Sequence, residues 1–68
     1  MDATDLGTTV TSRRKALGLS QDELAELAEV SPRFIRALEH GKHTARFDKI
    51  LAVLGTLGLQ FDVRVRPQ

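Results

Sequence analysis

Apolar positions recur at helical spacing through four stretches of this chain, and from Leu59 onward the period switches to alternation. In the first stretch Leu6, Val10, Arg14 and Leu17 share one face. This predicts a helix from Thr4 or Asp5 to Leu17, with Gly18 in the left-handed position just past its end. Ser20 has Glu23 three residues later, the spacing of a capping box, so a second helix starts there with Leu24, Leu27 and Ala28 on its buried side. Asp22 and Glu23 also suit the positive end of that helix's dipole.

Ser31 followed by Pro32 is another start signal, a serine cap with proline at the first helical position. This third helix runs to His40 and ends at Gly41. Ile35 and Leu38 point inward with Phe34 beside them, and Arg33, Arg36, Ala37 and His40 take the free face. Thr44 reads as the cap of a fourth helix with Phe47, Ile50, Leu51, Leu54 and Leu57 on its apolar side, closed by Gly58.

Leu59, Phe61, Val63 and Val65 then alternate with Gln60, Asp62, Arg64 and Arg66 up to Pro67, as in a half-buried β-strand. A single strand leaves its backbone groups unpaired, and the same strand of a second copy is the simplest partner. An antiparallel pair centred on Val63 sets Phe61 opposite Val65 and Asp62 opposite Arg64 of the other copy, and turns Leu59, Phe61, Val63 and Val65 toward the helices. Centring on Asp62 or Arg64 opposes like charges, which is unfavourable. The predicted fold is therefore all-α, four helices with one C-terminal β-strand pairing across a homodimer. Residues 1–58 form the helical domain and residues 59–68 the dimerisation strand.

Sixty-eight residues make one small domain with a marginal core. There is no cysteine, so disulfides and thiolate metal sites are excluded, and a reducing cytoplasm is the expected setting. No apolar run approaches the roughly 20 residues of a membrane span, and the acidic start Met1-Asp2-Ala3-Thr4-Asp5 lacks the features of a signal peptide.

A net charge of +1 says little, but its distribution says more. Arg33, Arg36, Lys42, Arg46 and Lys49 share one segment with only Glu39 and Asp48 as acids, whereas Asp22, Glu23, Glu26 and Glu29 crowd the helix before it. One basic face suffices to steer a domain toward phosphate.

Two short capped helices joined by a tight turn, the second with arginines on its free face, form the pattern of a helix-turn-helix DNA reader. Arg33, Arg36 and Ala37 are the candidate base-reading residues: arginine pairs bidentately with guanine, and alanine meets a thymine methyl or permits close approach. Gln21 and Ser31 sit at helix starts, where backbone amides attract phosphate. Lys42, His43, Thr44 and Arg46 form a candidate phosphate clamp. Glu39 falls near the buried side of its helix and needs a partner; Arg14 is the candidate for a structural ion pair.

No catalytic constellation is recognisable, no cofactor is implied, and His40 and His43 are not spaced as metal ligands on one helix face. Arginines on a free helix face also serve solubility, and a protein-interaction module that has lost DNA binding is the alternative from another class. Its acidic second helix and Phe34 would then form the partner surface.

The run from Arg14 through Gly18, Ser20-Gln21-Asp22-Glu23-Leu24-Ala25, Val30-Ser31, Ile35, Leu38-Glu39 and Gly41-Lys42 resembles the Xre, or lambda-repressor-like, helix-turn-helix family. The resemblance covers residues 4–58. It implies that Gln21 and the segment from Ser31 to Ala37 touch double-stranded DNA, and that Arg14 and Glu39 form a family ion pair. Pro32 departs from the family pattern, which puts more of the readout on Arg33; Arg13 stands at a position often apolar. The strand following directly on such a domain is similar to the HipB-type antitoxins of HipBA modules. That likeness implies a repressor of its own operon and, as partner, a HipA-type serine/threonine kinase toxin. A stand-alone Xre regulator is the alternative within the family.

Overall fold

Helix caps, set by bonds within three or four residues, account for most of the chain's segmentation. The structure is a computed structural model and describes residues 2–42, 46–62 and 65. Four helices follow in order: α1 Ala3–Ala16, α2 Gln21–Ala28, α3 Pro32–Glu39 and α4 Phe47–Thr56.

Helix α1 begins earlier than its apolar pattern suggests, because Asp2 caps it. The Asp2 carboxylate accepts from the Asp5 N–H at 2.8 Å, and Asp5 accepts from the Asp2 N–H at 3.3 Å. Leu17 is the C-cap and not a helical residue, and Gly18 follows with φ of +72°, the predicted left-handed stop. The Ser20–Glu23 capping box is present: Ser20 Oγ accepts from the Glu23 N–H at 3.0 Å, and Glu23 accepts from the Ser20 N–H at 2.8 Å. These bonds to Ser20 hold the Glu23 carboxyl below its ordinary value. Ser31 caps α3 through the Phe34 N–H at 3.1 Å, with Pro32 in the first turn.

Two predicted elements differ. Helix α4 starts at Phe47 with Arg46, not Thr44, as its N-cap residue and no side-chain cap; Thr44 lies outside the described residues. No strand is formed among residues 59–62 or at residue 65, since a β-ladder requires a second strand and a single chain supplies none. Val63 and Arg64, and so the centre of the predicted register, lie outside the described residues.

The core joins all four helices. Val10 of α1, Leu24, Ala25 and Ala28 of α2, Ile35 and Leu38 of α3, and Ile50, Val53 and Leu54 of α4 are buried, with Leu57 just beyond. Each fully buried aliphatic side chain contributes about 1.5–3 kcal/mol. Helix α2 packs against both α3 and α4, so Leu24, Ala25 and Ala28 turn inward. Leu27, predicted to be buried, is 61% exposed, and Leu17, Phe47 and Leu51 also keep substantial exposure.

Gly7 permits the crossing of α1 and α3. A Cβ built there would lie 2.6 Å from the Leu38 carbonyl oxygen and 2.7 Å from that of Glu39. At the other end Arg13 Nε donates to the Leu57 carbonyl at 2.9 Å, satisfying one of α4's last acceptors.

After α4 the chain stays attached to the helices. The Leu59 N–H donates to the Leu54 carbonyl at 2.8 Å, and Leu59 packs on the core. The Phe61 ring meets the Phe47 ring edge-on, with centroids 5.3 Å apart. Val65, predicted to face the helices, is instead 95% exposed among the described residues. No described helix is long and apolar enough to cross a membrane.

Candidate nucleic-acid interface

The turn between α2 and α3 sets the angle at which α3 is presented. Glu29 ends α2 in the left-handed conformation, φ 58° and ψ 43°, the only non-glycine residue with positive φ among those described. That conformation costs a residue with a Cβ roughly 1–2 kcal/mol. Ser31 then restarts the backbone as the cap of α3.

A hydrogen-bonded node locks the two helices to α1. Arg14 Nε donates to Glu39 Oε2 at 2.7 Å and Arg14 Nη2 to Glu39 Oε1 at 3.1 Å, a bidentate pair. Arg14 Nη1 reaches the Leu19 carbonyl at 2.8 Å. Both side chains are largely buried, 11% and 6% exposed, so the predicted pair forms inside the protein. Burial pushes the Glu39 carboxyl up, but the bonds from Arg14, Gln21 and Thr11 and the charge of Arg14 outweigh it and hold it below the ordinary carboxylate range. The bond to Glu39 in turn holds the Arg14 guanidinium above its usual value.

Gln21 belongs to this node. Its Nε2 donates to Glu39 Oε1 at 3.1 Å, so its amide nitrogen turns inward while its backbone N–H remains at the start of α2. Sequence spacing places Gln21 at a helix start but carries no sign of this tie.

The outer face of α3 is basic. Arg33 and Arg36 are exposed and Ala37 is half-buried. Arg33 has no acid partner among the described residues. Arg36 Nη1 lies 3.9 Å from Asp22 Oδ1 of α2, with both side chains more than half exposed. Such a pair is weak and exchangeable.

Beside α3 runs a groove of about 320 Å³ lined by Ser31, Arg33, Phe34, Ala37, Leu38, Lys42 and Lys49. It brings Ser31, Arg33, Ala37 and Lys42 together. Arg46 stands apart from that lining, with Nη2 3.3 Å from Asp48 Oδ2. The bond to Arg46 holds the Asp48 carboxyl below its ordinary value. His43 and Thr44 lie outside the described residues.

Lys49 is the basic residue of this groove that the motif reading passed over. Its Nζ stands 5.8 Å from the Phe34 ring centroid. The available signal was the α4 pattern: with Ile50, Val53, Leu54 and Leu57 inward, position 49 falls at the edge of the buried face, half-buried and next to α3.

Comparison with known proteins gives consistent results. Residues 10–63 match the helix-turn-helix family. The chain is 51% identical over 59 residues to the uncharacterized HTH-type transcriptional regulator y4mF of Sinorhizobium fredii (strain NBRC 101917 / NGR234), covering 87% of this chain and 78% of that one. Its fold is similar to the crystal structure of the restriction-modification controller protein C.AhdI from Aeromonas hydrophila. The TM-score is 0.77 at 27% identity, over 87% of this chain and 86% of that chain.

Proposed function

Since the chain belongs to the helix-turn-helix family, we propose that it is a sequence-specific DNA-binding transcriptional repressor that acts as a homodimer on a palindromic operator. The observation that carries this reading is the cationic edge of α3. Arg33 is exposed on the first turn with no acid partner among the described residues, and Ser31, Lys42 and Lys49 gather around one groove with it. An arginine so placed matches guanine O6 and N7 in the major groove. Arg36 and Ala37, one turn on, extend the base-reading face, and the Arg36–Asp22 pair is weak enough to exchange for DNA. Lys42, His43, Thr44 and Arg46 serve phosphates, as do the helix starts at Gln21 and Ser31.

Dimerisation is assigned to residues 59–68. The exposed Val65 and the edge-on Phe61–Phe47 pair support it, because both leave apolar surface that a second copy would cover. In this reading the strands pair antiparallel about Val63.

The operon context has two readings. The alternating apolar pattern of Leu59, Phe61, Val63 and Val65 directly after α4 favours a HipB-type antitoxin that represses its own operon and binds a HipA-type serine/threonine kinase. The likeness to C.AhdI favours a controller of a restriction-modification operon. Co-expression with the product of the adjacent gene separates them: a kinase that co-purifies supports the first, and a neighbouring endonuclease that does not supports the second.

The function is tested by selecting binding sites from a random DNA pool. The expected product is a palindrome with half-sites about 34 Å apart, and separating them by half a turn abolishes tight binding. Equal affinity at every spacing refutes the dimeric repressor. Enrichment of no sequence refutes DNA reading and favours an interaction module.

A further inference from the structure

Lys49 and Phe34 stand in a relation that the DNA-reading motif does not explain. Phe34 occupies the first turn of α3, next to Arg33, and its N–H is held by Ser31 Oγ at 3.1 Å. Its ring is partly buried against the core, so it is fixed from below by packing. Lys49 reaches it from the first turn of α4, with the ammonium 5.8 Å from the ring centroid, within cation–π range. Among the described residues the groove is lined by the cations Arg33, Lys42 and Lys49, by no carboxylate, and by Phe34, Ala37 and Leu38.

A lysine stem alone is flexible and ends in a strongly hydrated point charge. Over an aromatic face that ammonium gains a preferred location without losing its charge or its outward N–H donors. An ammonium held over a ring next to a base-reading arginine, in a groove with no acid among its described lining residues, is suited to a phosphate adjoining the base that Arg33 reads.

We propose that Lys49 is a DNA-backbone contact and that Phe34 is the positioning residue that holds its ammonium at the Arg33 edge of α3. This rests on the DNA-reading function proposed above. Phe34 thereby joins two parts of the interface, because its backbone belongs to the recognition helix and its ring sets where the α4 cation stands. Arg33 selects sequence, and Lys49 adds attraction that does not depend on sequence.

The test measures binding of the full chain to its selected operator and to an unrelated duplex across a range of salt. Each phosphate contact contributes about 0.9 to the slope of log affinity against log salt. Lys49→Ala is expected to lower the slope by about one per protomer and to weaken both duplexes by the same factor; Lys49→Arg retains the slope. Phe34→Leu is expected to lower operator affinity in the wild-type background and to add little once Lys49 is alanine. Phe34→Tyr, which keeps the ring, retains wild-type binding and covers the case in which the leucine variant fails to fold.

A wild-type slope for Lys49→Ala, with operator still bound, overturns the proposal and leaves the DNA-reading function standing. Additive losses for Lys49→Ala and Phe34→Leu overturn the positioning role of Phe34. If the wild-type chain binds neither duplex, both this proposal and the function it rests on fall.

Discussion

Replacing Glu39 by glutamine tests whether one buried node holds the motif together. The carboxylate accepts two bonds from Arg14 and one from Gln21, and thus ties α1, α3 and the start of α2. Glutamine keeps the shape but loses the charge and presents an amide to donors. Arg14 then remains as a cation only 11% exposed with no counter-charge. Removing one partner of a buried pair costs about 3–5 kcal/mol. Glutamine still offers one acceptor oxygen, which favours the lower end, about 3 kcal/mol.

A domain of this length has roughly 3–10 kcal/mol in total, so the loss takes a large share of it. The melting temperature should fall by about 12–24 °C. Urea unfolding followed by circular dichroism measures the change directly, and the combined variant with Arg14→Gln should lose less than the two single losses added. The node also has an acid signature. Glu39 has a folded pKa below its unfolded value, so its contribution is fully present above the ordinary carboxylate range and is lost as pH falls through the folded value. Glu39→Gln should remove that part of the acid sensitivity. A Glu39→Gln protein within about 0.5 kcal/mol of wild type, with unchanged acid unfolding, would refute the reasoning.

Two glycines predict opposite signs for one substitution. Gly7→Ala drives a Cβ into the Leu38 and Glu39 carbonyls and should destabilise by about 1–3 kcal/mol, whereas Gly55→Ala, with nothing within 4 Å, should stabilise by up to about 1 kcal/mol; thermal melts of both decide it. Arg33→Ala should relax preference at one base pair per half-site at a cost of about 1–3 kcal/mol, and a repeat of the binding-site selection shows whether preference is retained. Truncation after Gly58 should leave a folded domain that sediments as a monomer or a much weaker dimer, with operator affinity falling accordingly; an unchanged dimer would place the interface elsewhere.

Local chemistry made the helical part of this protein legible. The starts of α2 and α3 could be read because Ser20, Glu23, Ser31 and Pro32 act through bonds within three residues, which the chain forms wherever it folds. The Asp2–Asp5 box that starts α1 has the same local character, but the apolar pattern alone, beginning at Leu6, placed the start one or two residues too late. Arg14 and Glu39 could be paired because a carboxylate and a guanidinium on buried faces leave each other few alternatives. The basic edge of α3 was visible for the converse reason, since its cations sit opposite the apolar positions.

Tertiary packing decided the rest. Helix α2 lies against two neighbours at once, and that wedge buries Ala25 and exposes Leu27, which no single-helix period distinguishes. The inward turn of the Gln21 amide, the closeness of Gly7 to two carbonyls, and the placement of Lys49 over Phe34 each join residues 15 or more positions apart. The alternation from Leu59 to Val65 specifies two faces but no partner, because a strand's backbone bonds close only on a second strand. Periodicity and capping are properties of a segment, whereas burial and contact belong to the assembled domain.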